Sequence, residues 1–405
     1  MDLPDSGGSF EGEGVDQDND LLYGITLGFS ASTALGQWGD VDAYVGLSGF
    51  ATFVTGDFSK TYDFTGPGVV IVQGGAGPNL GAISIATSSS PGDADSSVSI
   101  TDVSPQGNVP IVGLVAGSGP APSVQDVTFV SGAGQSFAWG GAQTLVSVSD
   151  ARAAAYAAIA DTNGGIFIAA GNLDGLSIGT TYRTEALYGG GDLTFGISGR
   201  GDGDVTLQGY VGPSYRYLGQ RNSSTSAISV DVPEYANTTT VFPLFGMSST
   251  EELGTHYIGG VIGASATIQL DENSSFTLGG ELGGYYTKTA LNSSGTYTVE
   301  GGGPIPYILQ TVTSEGATEE DDGYALAARG TAVYTVALNE NTQLNFSGMI
   351  DYLSNVAQPS VNAVVMGYDG TDTGSVTYAS GGDNPRIGWG NMFSFTGAIT
   401  LTGQF

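Results

Sequence analysis

The stretch MFSFTGAITLTGQF, residues 392–405, decides the fold. Its odd positions are occupied by Phe, Phe, Gly, Ile, Leu, Gly and Phe, and Ser, Thr, Ala and Gln stand between them. A period of two places alternate side chains on opposite faces of a β-strand. The stretch therefore predicts one strand with an apolar face and a small polar face, the pattern of a lipid-facing barrel wall.

This stretch resembles the C-terminal signature strand of Gram-negative outer-membrane proteins, which ends in an aromatic residue and carries hydrophobic residues at alternate positions before it. Phe405, Leu401, Ile399, Phe395 and Phe393 carry the resemblance, which covers about fourteen residues. It implies a porin-like β-barrel in the bacterial outer membrane, surrounded by the lipid of that membrane. It also implies that the last strand ends on the periplasmic side.

Four further pairs of segments alternate in the same way and are separated by short polar turns, as expected of β-hairpins. The turns Asp271-Glu272-Asn273 and Asn339-Glu340-Asn341 are nearly the same sequence used twice. The paired segments are 21–35 with 41–54, 187–200 with 205–219, 258–270 with 276–286, and 324–338 with 342–352. With the last strand, nine strands are visible.

Long polar segments at about 220–255, 289–323 and 354–386 separate these hairpins. Short turns on one side and long loops on the other are typical of outer-membrane barrels. We predict an all-β, antiparallel, up-and-down transmembrane barrel of about 10–12 strands. Closure with both chain ends on one side needs an even number of strands, so at least one must be hidden.

The chain divides into four predicted parts. An acidic N-terminal segment, 1–20, precedes a first barrel hairpin, 21–54, and the main barrel covers 187–405. The insertion 55–186 lacks alternation of membrane length and is expected to hold the hidden strand and a short helix over Asp150–Asp161. An extracellular cap, a plug or a contact between subunits all remain open for this insertion.

Composition excludes several classes of function. Glycine contributes 67 of 405 residues and charged residues only 12%, and the formal charge of −31 opposes binding to nucleic acid. The absence of cysteine and the single His256 leave neither a disulfide framework nor a His pair for a metal. No nucleophile, base and orienting group can be connected from the sequence, so we predict no enzymatic activity and no cofactor.

Six charged residues lie on the polar face of the predicted strands and should point into the barrel, because a charge near the middle of the lipid face costs about 2–4 kcal/mol. They are Arg200, Arg216, Arg329, Asp192, Glu281 and Asp351. One reading is a constriction that selects solutes by charge. The other is that these residues pair with one another and fill a narrow barrel.

Five aromatic residues stand where strands should cross the membrane surfaces, and aromatic girdles are typical of those positions. They are Trp389, Phe405, Tyr215, Tyr217 and Tyr286. The carboxylates Asp16, Asp18 and Asp20 have the spacing that begins a calcium loop, but Leu21 and Leu27 replace the glycine and glutamate of an EF-hand. Loose Ca²⁺ binding by acidic loops is the only metal prediction.

The first functional hypothesis is a channel for passive diffusion of small polar solutes or ions, which can also form a homo-oligomer. The alternative is a structural or adhesive surface protein, either a barrel anchor or a soluble all-β subunit. Its acidic insertion 55–186 would provide an assembly surface that makes contacts to neighbours or to calcium. Opposed rings of inward charges would favour the channel, and close pairs would favour an occluded barrel.

Overall fold

The computed structural model describes most of the chain, and every regular element in the described residues is a β-strand. The described residues are 23–39, 41–75, 78, 83–90, 93–100, 113–118, 123–130, 136–146, 151–201, 204–231, 242–301, 310–339, 342–359, 364–366, 373–378 and 387–403. All strand pairs are antiparallel, as predicted. Within these residues, no helix is long and apolar enough to cross a membrane.

Nine strands form one large sheet in the order β1-β2-β11-β12-β13-β14-β15-β16-β19. Apart from two long insertions, this order follows the chain, so neighbours along the sequence are neighbours in the sheet. The strands are β1 Tyr23–Trp38, β2 Val41–Asp63, β11 Leu176–Arg200, β12 Val205–Val230, β13 Leu244–Asp271, β14 Ser274–Glu300, β15 Gln310–Asn339, β16 Thr342–Pro359 and β19 Ile387–Gly403.

The tight turns lie where the sequence predicted them. At the β13–β14 turn, the carboxylate of Asp271 accepts hydrogen bonds from the Ser274 hydroxyl at 2.7 Å and from the Asn273 N–H at 2.8 Å. These bonds favour the charged carboxylate and hold the pKa of Asp271 below its usual value. The turn therefore has a local reason to form that does not depend on the rest of the sheet.

The strands are longer than the alternation of large apolar residues indicated. Most of the segments 220–255 and 289–323, predicted as long loops, are paired strand: β12 continues to Val230, β13 begins at Leu244 and β14 continues to Glu300. Serine and threonine hydroxyls bridge these polar extensions, for example Ser224 with Ser249 at 2.6 Å. The prediction of loops was wrong there because cross-strand hydroxyl pairs stabilise a sheet without apolar residues.

Residues outside the large sheet form two further sheets, which together we name the cap. A six-stranded sheet has the order β17-β3-β10-β9-β8-β7 and a four-stranded sheet the order β18-β4-β5-β6. Their strands are β3 Pro67–Gly75, β4 Ile83–Ser90, β5 Asp93–Ile100, β6 Gly113–Ser118, β7 Ser123–Val130, β8 Phe137–Val146, β9 Ala151–Ala160, β10 Gly164–Asn172, β17 Val364–Met366 and β18 Thr373–Tyr378.

The helix predicted over Asp150–Asp161 is wrong, because Ala151–Ala160 forms strand β9 at the centre of the six-stranded sheet. Both faces of β9 are buried: Ala154, Tyr156 and Ala158 belong to one core cluster, while Ala155, Ala157 and Ile159 belong to another. Small side chains on both faces allow two layers to pack closely on this strand. Tertiary packing has overridden the helix propensity of alanine.

The cap is a β-sandwich that rests on the large sheet. Ile83, Ile85, Val98 and Ile100 of the four-stranded sheet pack against one face of the six-stranded sheet. The other face of the six-stranded sheet packs in one cluster with residues of β11 to β15 that lie at the strand ends away from the short turns, such as Ile178, Phe245 and Tyr297. Burial of Tyr156 in this cluster raises the pKa of its phenol well above the usual value. The cap therefore covers the end of the sheet opposite the short turns.

Large apolar side chains form a continuous exposed stripe on one face of the large sheet, which we name the outer apolar band. Its segments run through 25–35, 41–53, 187–199, 205–217, 256–270, 276–286, 324–338, 342–352 and 393–401. Among the described residues, these segments carry no Asp, Glu, Lys or Arg on the outer face. Every segment belongs to a different strand of the sheet.

The sheet curls so that residues of distant strands meet on its inner face. One buried cluster draws residues from eight of the nine strands, including Val54 of β2, Leu353 of β16 and Met392 of β19. Among the described strands, β1 and β19 pair on one side only, so the hydrogen-bonded sheet has two edges. The hidden strand expected in the insertion is not found there, because the described strands of residues 64–175 belong to the cap.

Candidate functional site

The inner face carries a chain of buried and half-buried ion pairs that we name the charge network. Its members are Asp192 of β11, Arg216 of β12, Glu281 of β14, Arg329 of β15 and Asp351 of β16. The cross-strand register places Glu281 directly beside Arg329, and Arg329 directly beside Asp351. Alternation and register thus bring together residues that are up to 159 positions apart in the sequence.

Arg216 is the centre of the network, and its side chain is only 2% exposed. Its Nη2 donates to both carboxylate oxygens of Asp192, at 3.1 and 3.2 Å, and to Oε1 of Glu281 at 3.3 Å. Its Nε donates to the Tyr285 hydroxyl at 3.3 Å. Ser214 donates to Asp192 and also contacts the Tyr285 hydroxyl, so the acid and the phenol are held by the same side chain.

Arg329 continues the network on the neighbouring strands. Its Nη2 donates to Oδ2 of Asp351 at 3.0 Å, and its Nη1 lies 3.6 Å from Oε1 of Glu281. Glu281 therefore bridges the two guanidinium groups, and it also accepts a hydrogen bond from the Tyr210 hydroxyl at 2.9 Å. Three acids and two arginines form close pairs rather than opposed rings of like charge.

The ring of Phe50 on β2 lies in the interior of the curled sheet, against both arginines of the charge network. The guanidinium carbons of Arg216 and Arg329 lie 4.8 and 5.2 Å from the centre of its ring, distances that allow cation–π attraction. Since β2 and β15 are five strands apart in the sheet, this contact spans the interior. Side chains therefore fill the curled sheet at this level.

Two donors of the network have no hydrogen-bond partner within the described part of the chain: Nη1 of Arg216 and Nε of Arg329. Both belong to side chains whose remaining nitrogens are paired. The network can therefore hold its charges in place while it keeps donor capacity for a polar group or water.

Between the network and the cap, the inner face is again closed by side chains. Gln220 of β12 donates to the carbonyl of Ala357 on β16 at 2.7 Å, which joins opposite walls of the interior. Leu253, Leu291, Ala357 and Ile387 form a small apolar cluster at the same level. Nearer to the cap, burial and the charges of Tyr62 and Glu251 raise the pKa of Tyr182 to about 12.

On the outer face, an aromatic row borders the apolar band on the side of the cap. Tyr215 bonds to Nδ1 of His256 at 2.7 Å, Tyr217 packs against the same imidazole, and the rings of Tyr286 and Tyr324 meet edge to face at 5.9 Å. Tyr286 donates to Asp322 at 2.6 Å, and Trp389 donates to Asp321 at 3.3 Å. The polar atoms of these aromatic side chains thus point to a layer of charged residues, which includes Asp321 and Asp322 and which we name the charged layer.

That charged layer contains ion pairs across neighbouring strands. Arg183 donates to Glu185 and lies near Asp57, and Arg221 lies 3.6 Å from Glu252. The hydrogen bond to Glu185, together with the negative charges of Glu185 and Asp57, raises the pKa of Arg183 above its usual value. A shallow groove of about 430 Å³ lies where this layer meets the aromatic row, lined in part by Tyr217, Arg221 and His256.

Five of the six inward charges expected from the sequence meet in the charge network, and Arg200 does not. Arg200 is exposed near the β11–β12 turn. Trp389, Tyr215, Tyr217 and Tyr286 lie in the aromatic row, whereas Phe405 and the acids Asp16, Asp18 and Asp20 lie outside the described residues. Among the described residues, no group of three or more acidic or histidine side chains is placed to hold a metal.

The sequence missed several further members of the site. Phe50, Tyr210, Ser214 and Tyr285 complete the charge network, and Asp321 and Asp322 bind the aromatic row. Strand alternation could have placed all of them on the correct face. Only the curl of the sheet, which brings β2 across to β15, shows that Phe50 touches both arginines.

The fold and the site define an all-β protein in which a curled antiparallel meander carries a two-sheet cap. No family profile, no curated protein and no solved structure matches the chain.

Proposed function

We propose that the chain is an outer-membrane protein whose curled sheet is the wall of a β-barrel in the lipid and whose cap stands on the cell surface. The outer apolar band carries this proposal. Each of its nine segments reaches the roughly 9–11 residues that a tilted strand needs to cross a bilayer. A soluble protein rarely exposes a continuous apolar surface that extends over nine strands.

The borders of the band support the same assignment. Aromatic rings such as Tyr215, Tyr286 and Trp389 stand between the apolar side chains and a charged layer, as in the interfacial girdles of membrane barrels. Short turns lie at the opposite border, and β19 runs towards them. In outer-membrane barrels the short turns face the periplasm, so the cap is assigned to the outside.

Within this class, the interior favours a surface protein with a barrel anchor over an open pore. Close pairing of Arg216 and Arg329 with three acids, the contact of both with Phe50, and the bond from Gln220 to Ala357 place side chains across the interior. A wall of nine strands is near the size at which side chains fill a barrel. The cap then presents the surface that contacts other molecules.

A porin-like channel is the second candidate, and the charge network favours it in one respect. Opposite charges concentrated at one level of the interior, with free donors on Arg216 and Arg329, are the chemistry of a charge-selective constriction. Such a channel requires the network and the cap to separate. The solutes would be small and polar.

Conductance in planar bilayers distinguishes the two candidates. The purified protein is inserted from detergent, and single-channel currents and reversal potentials are measured in a salt gradient. For the anchor we expect stable insertion, seen as protection of the strands from protease, without conductance steps. Stable ion-selective steps would overturn the anchor and favour the channel, and a failure to insert would overturn the membrane assignment itself.

A further inference from the structure

The two edge strands of the large sheet run in the same direction. Successive strands from β1 to β19 alternate in direction across nine strands, so the first and the ninth are parallel. Both run towards the end of the sheet that carries the short turns. Each edge carries a row of backbone N–H and C=O groups with no partner strand among the described residues.

Several side chains of the outer apolar band at the two edges are strongly exposed. Ile25, Leu27 and Phe29 of β1 are 62–73% exposed, and Phe395, Ile399 and Leu401 of β19 are 66–73% exposed. On the interior strand β11, Leu193, Phe195 and Ile197 are only 42–57% exposed. Tyr324 and Leu326 of the interior strand β15 are exposed to the same degree, at 75% and 67%, so the open edges are defined by the unpaired backbone and not by side-chain exposure.

Exposed edges are incompatible with the membrane position proposed above, on which this inference rests. Unpaired backbone groups in the hydrocarbon region cost several kcal/mol each, so sheets cross membranes only when they close. Each edge must therefore pair with something once the band is in lipid.

The register of the sheet shows how the edges can meet. Starting at Gly397, in the middle of the β19 segment of the band, the directly paired residues lead through Gly348, Ala332, Leu278, Ala266, Leu207, Gly199 and Val41 to Trp38 of β1. The middle of the band on β1 lies near Phe29 instead. A path that starts at the middle of the band on β19 and follows the paired residues across the nine strands therefore ends about nine residues away from the middle of the band on β1.

This displacement has the size that closure requires. A stagger of about nine residues at ~3.3 Å per residue, over nine strands ~4.8 Å apart, corresponds to a strand tilt of about 35°. Closed barrels have tilts of about 35–45°. The displacement therefore has the size of the shear that a closed nine-stranded barrel would need.

We infer that β1 and β19 pair with each other as parallel strands in the membrane and close the barrel within one chain, with Phe29 level with Gly397. Val54 of β2 and Met392 of β19 already share one buried cluster, so the strands on both sides of β1 border the same interior. Glycine and serine on the inner face of β1, at Gly28, Ser30 and Ser32, leave room for this approach.

The absence of cysteine makes the pairing testable by disulfide formation. Parallel pairing with this register places Thr26 beside Ser394 and Ser32 beside Thr400, all on the inner face. The crossed pairs, Thr26 with Thr400 and Ser32 with Ser394, lie about six residues, or ~20 Å, out of register. All four positions carry small hydroxyl side chains that cysteine replaces with little change of volume.

Each double cysteine variant is inserted into lipid vesicles, oxidised with copper phenanthroline and analysed on a non-reducing gel. We expect T26C/S394C and S32C/T400C to form a disulfide within one chain in at least about tenfold higher yield than the crossed pairs. A higher yield for the crossed pairs, links only between two chains, or no links in protein that is inserted would each overturn closure by β1 and β19.

Insertion is measured separately on the same samples. One measure is protection of the band from protease, and the other is the difference in electrophoretic mobility between unheated and heated samples. Failure to insert would refute the proposed membrane function. Insertion without a link within one chain would refute only the closure and would place another strand between β1 and β19.

Discussion

Arg216 shows how much a single residue of the inner face supports. Its guanidinium neutralises Asp192 and part of Glu281, stacks on Phe50 and donates to Tyr285, all in a site with almost no solvent. Loss of one partner from a buried ion pair leaves an uncompensated charge, which usually costs more than the pair itself contributed. The network is therefore sensitive to single substitutions and tolerant of matched ones.

Replacing Arg216 by Met should lower the free energy of unfolding by about 3–5 kcal/mol, because Asp192 and Glu281 lose their shared cation. The matched control is Arg200→Met, which removes an exposed arginine and should change stability by less than about 0.5 kcal/mol. Urea titration of the detergent-folded protein, followed by tryptophan fluorescence, measures both. Equal effects of the two substitutions would contradict the special position of Arg216.

The two faces of β19 give a second test with neighbouring residues. Ile399 is 72% exposed on the outer face, and Thr400 lies on the inner face. In the proposed membrane position, Ile399→Arg would place a charge in lipid and should cost about 2–4 kcal/mol, whereas Thr400→Arg should cost less than about 1 kcal/mol. The fraction of each variant that inserts into vesicles measures this difference, and similar insertion would mean that the faces are assigned incorrectly.

At the scale of elements, the strands have two zones with different chemistry. Near the short turns, β11 to β15 alternate large apolar residues with small polar ones and carry the outer apolar band. Farther along, the same strands become rich in Ser and Thr on their outer side, while their inner side turns apolar and receives the cap. In each of these strands the apolar face is therefore the outer one near the short turns and the inner one near the cap.

The contact between cap and sheet depends on glycines that let Tyr297 approach. A Cβ added at Gly165 of β10 would lie 2.3–2.8 Å from ring atoms of Tyr297, a side chain that is fully buried. Gly165→Ala should therefore destabilise the docked cap by about 1–3 kcal/mol. Gly179→Ala on β11 is the control, because its Cβ would meet only ordinary contacts at 3.8–4.0 Å.

Limited proteolysis measures the docking of the cap in these two variants. We expect cleavage of cap segments to accelerate at least about fivefold in Gly165→Ala while the strands of the apolar band stay protected, and no change in Gly179→Ala. If Gly165→Ala leaves the cleavage rate unchanged, the cap is not held by the Tyr297 contact.

At the scale of the whole molecule, the cap and the short turns lie at opposite ends of the sheet, so the proposed membrane position also assigns them to opposite sides of the membrane. Two exposed turn residues report this directly: Thr162 between β9 and β10 of the cap, and Glu272 between β13 and β14. A cysteine at either position is the only thiol in the chain.

Thr162→Cys should react with a membrane-impermeant maleimide on intact cells, and Glu272→Cys should react only after the outer membrane is permeabilised. Labelling of both variants in purified detergent-folded protein controls for accessibility. The opposite pattern on intact cells would reverse the orientation, and labelling of both would contradict a membrane between the two ends.

The sequence by itself determined the all-β class, the positions of the tight turns, the two faces of the nine strands and the inward direction of Arg216, Arg329 and Asp351. These features follow from strand periodicity and from turn residues, which act over a few neighbouring positions. It could not determine that β9 is a strand, that polar segments extend the sheet, or which inward charges pair.

Those features depend on contacts between residues that are far apart in the sequence. Ala151–Ala160 is helical by local preference and becomes a strand because two apolar layers need small side chains between them. Asp192 and Arg216 meet across the neighbouring strands β11 and β12, and Arg216 reaches Glu281 two strands away on β14. Phe50 reaches Arg216 and Arg329 only because the sheet curls. Local chemistry therefore set the direction of each side chain, and tertiary structure alone decided which side chains it would meet.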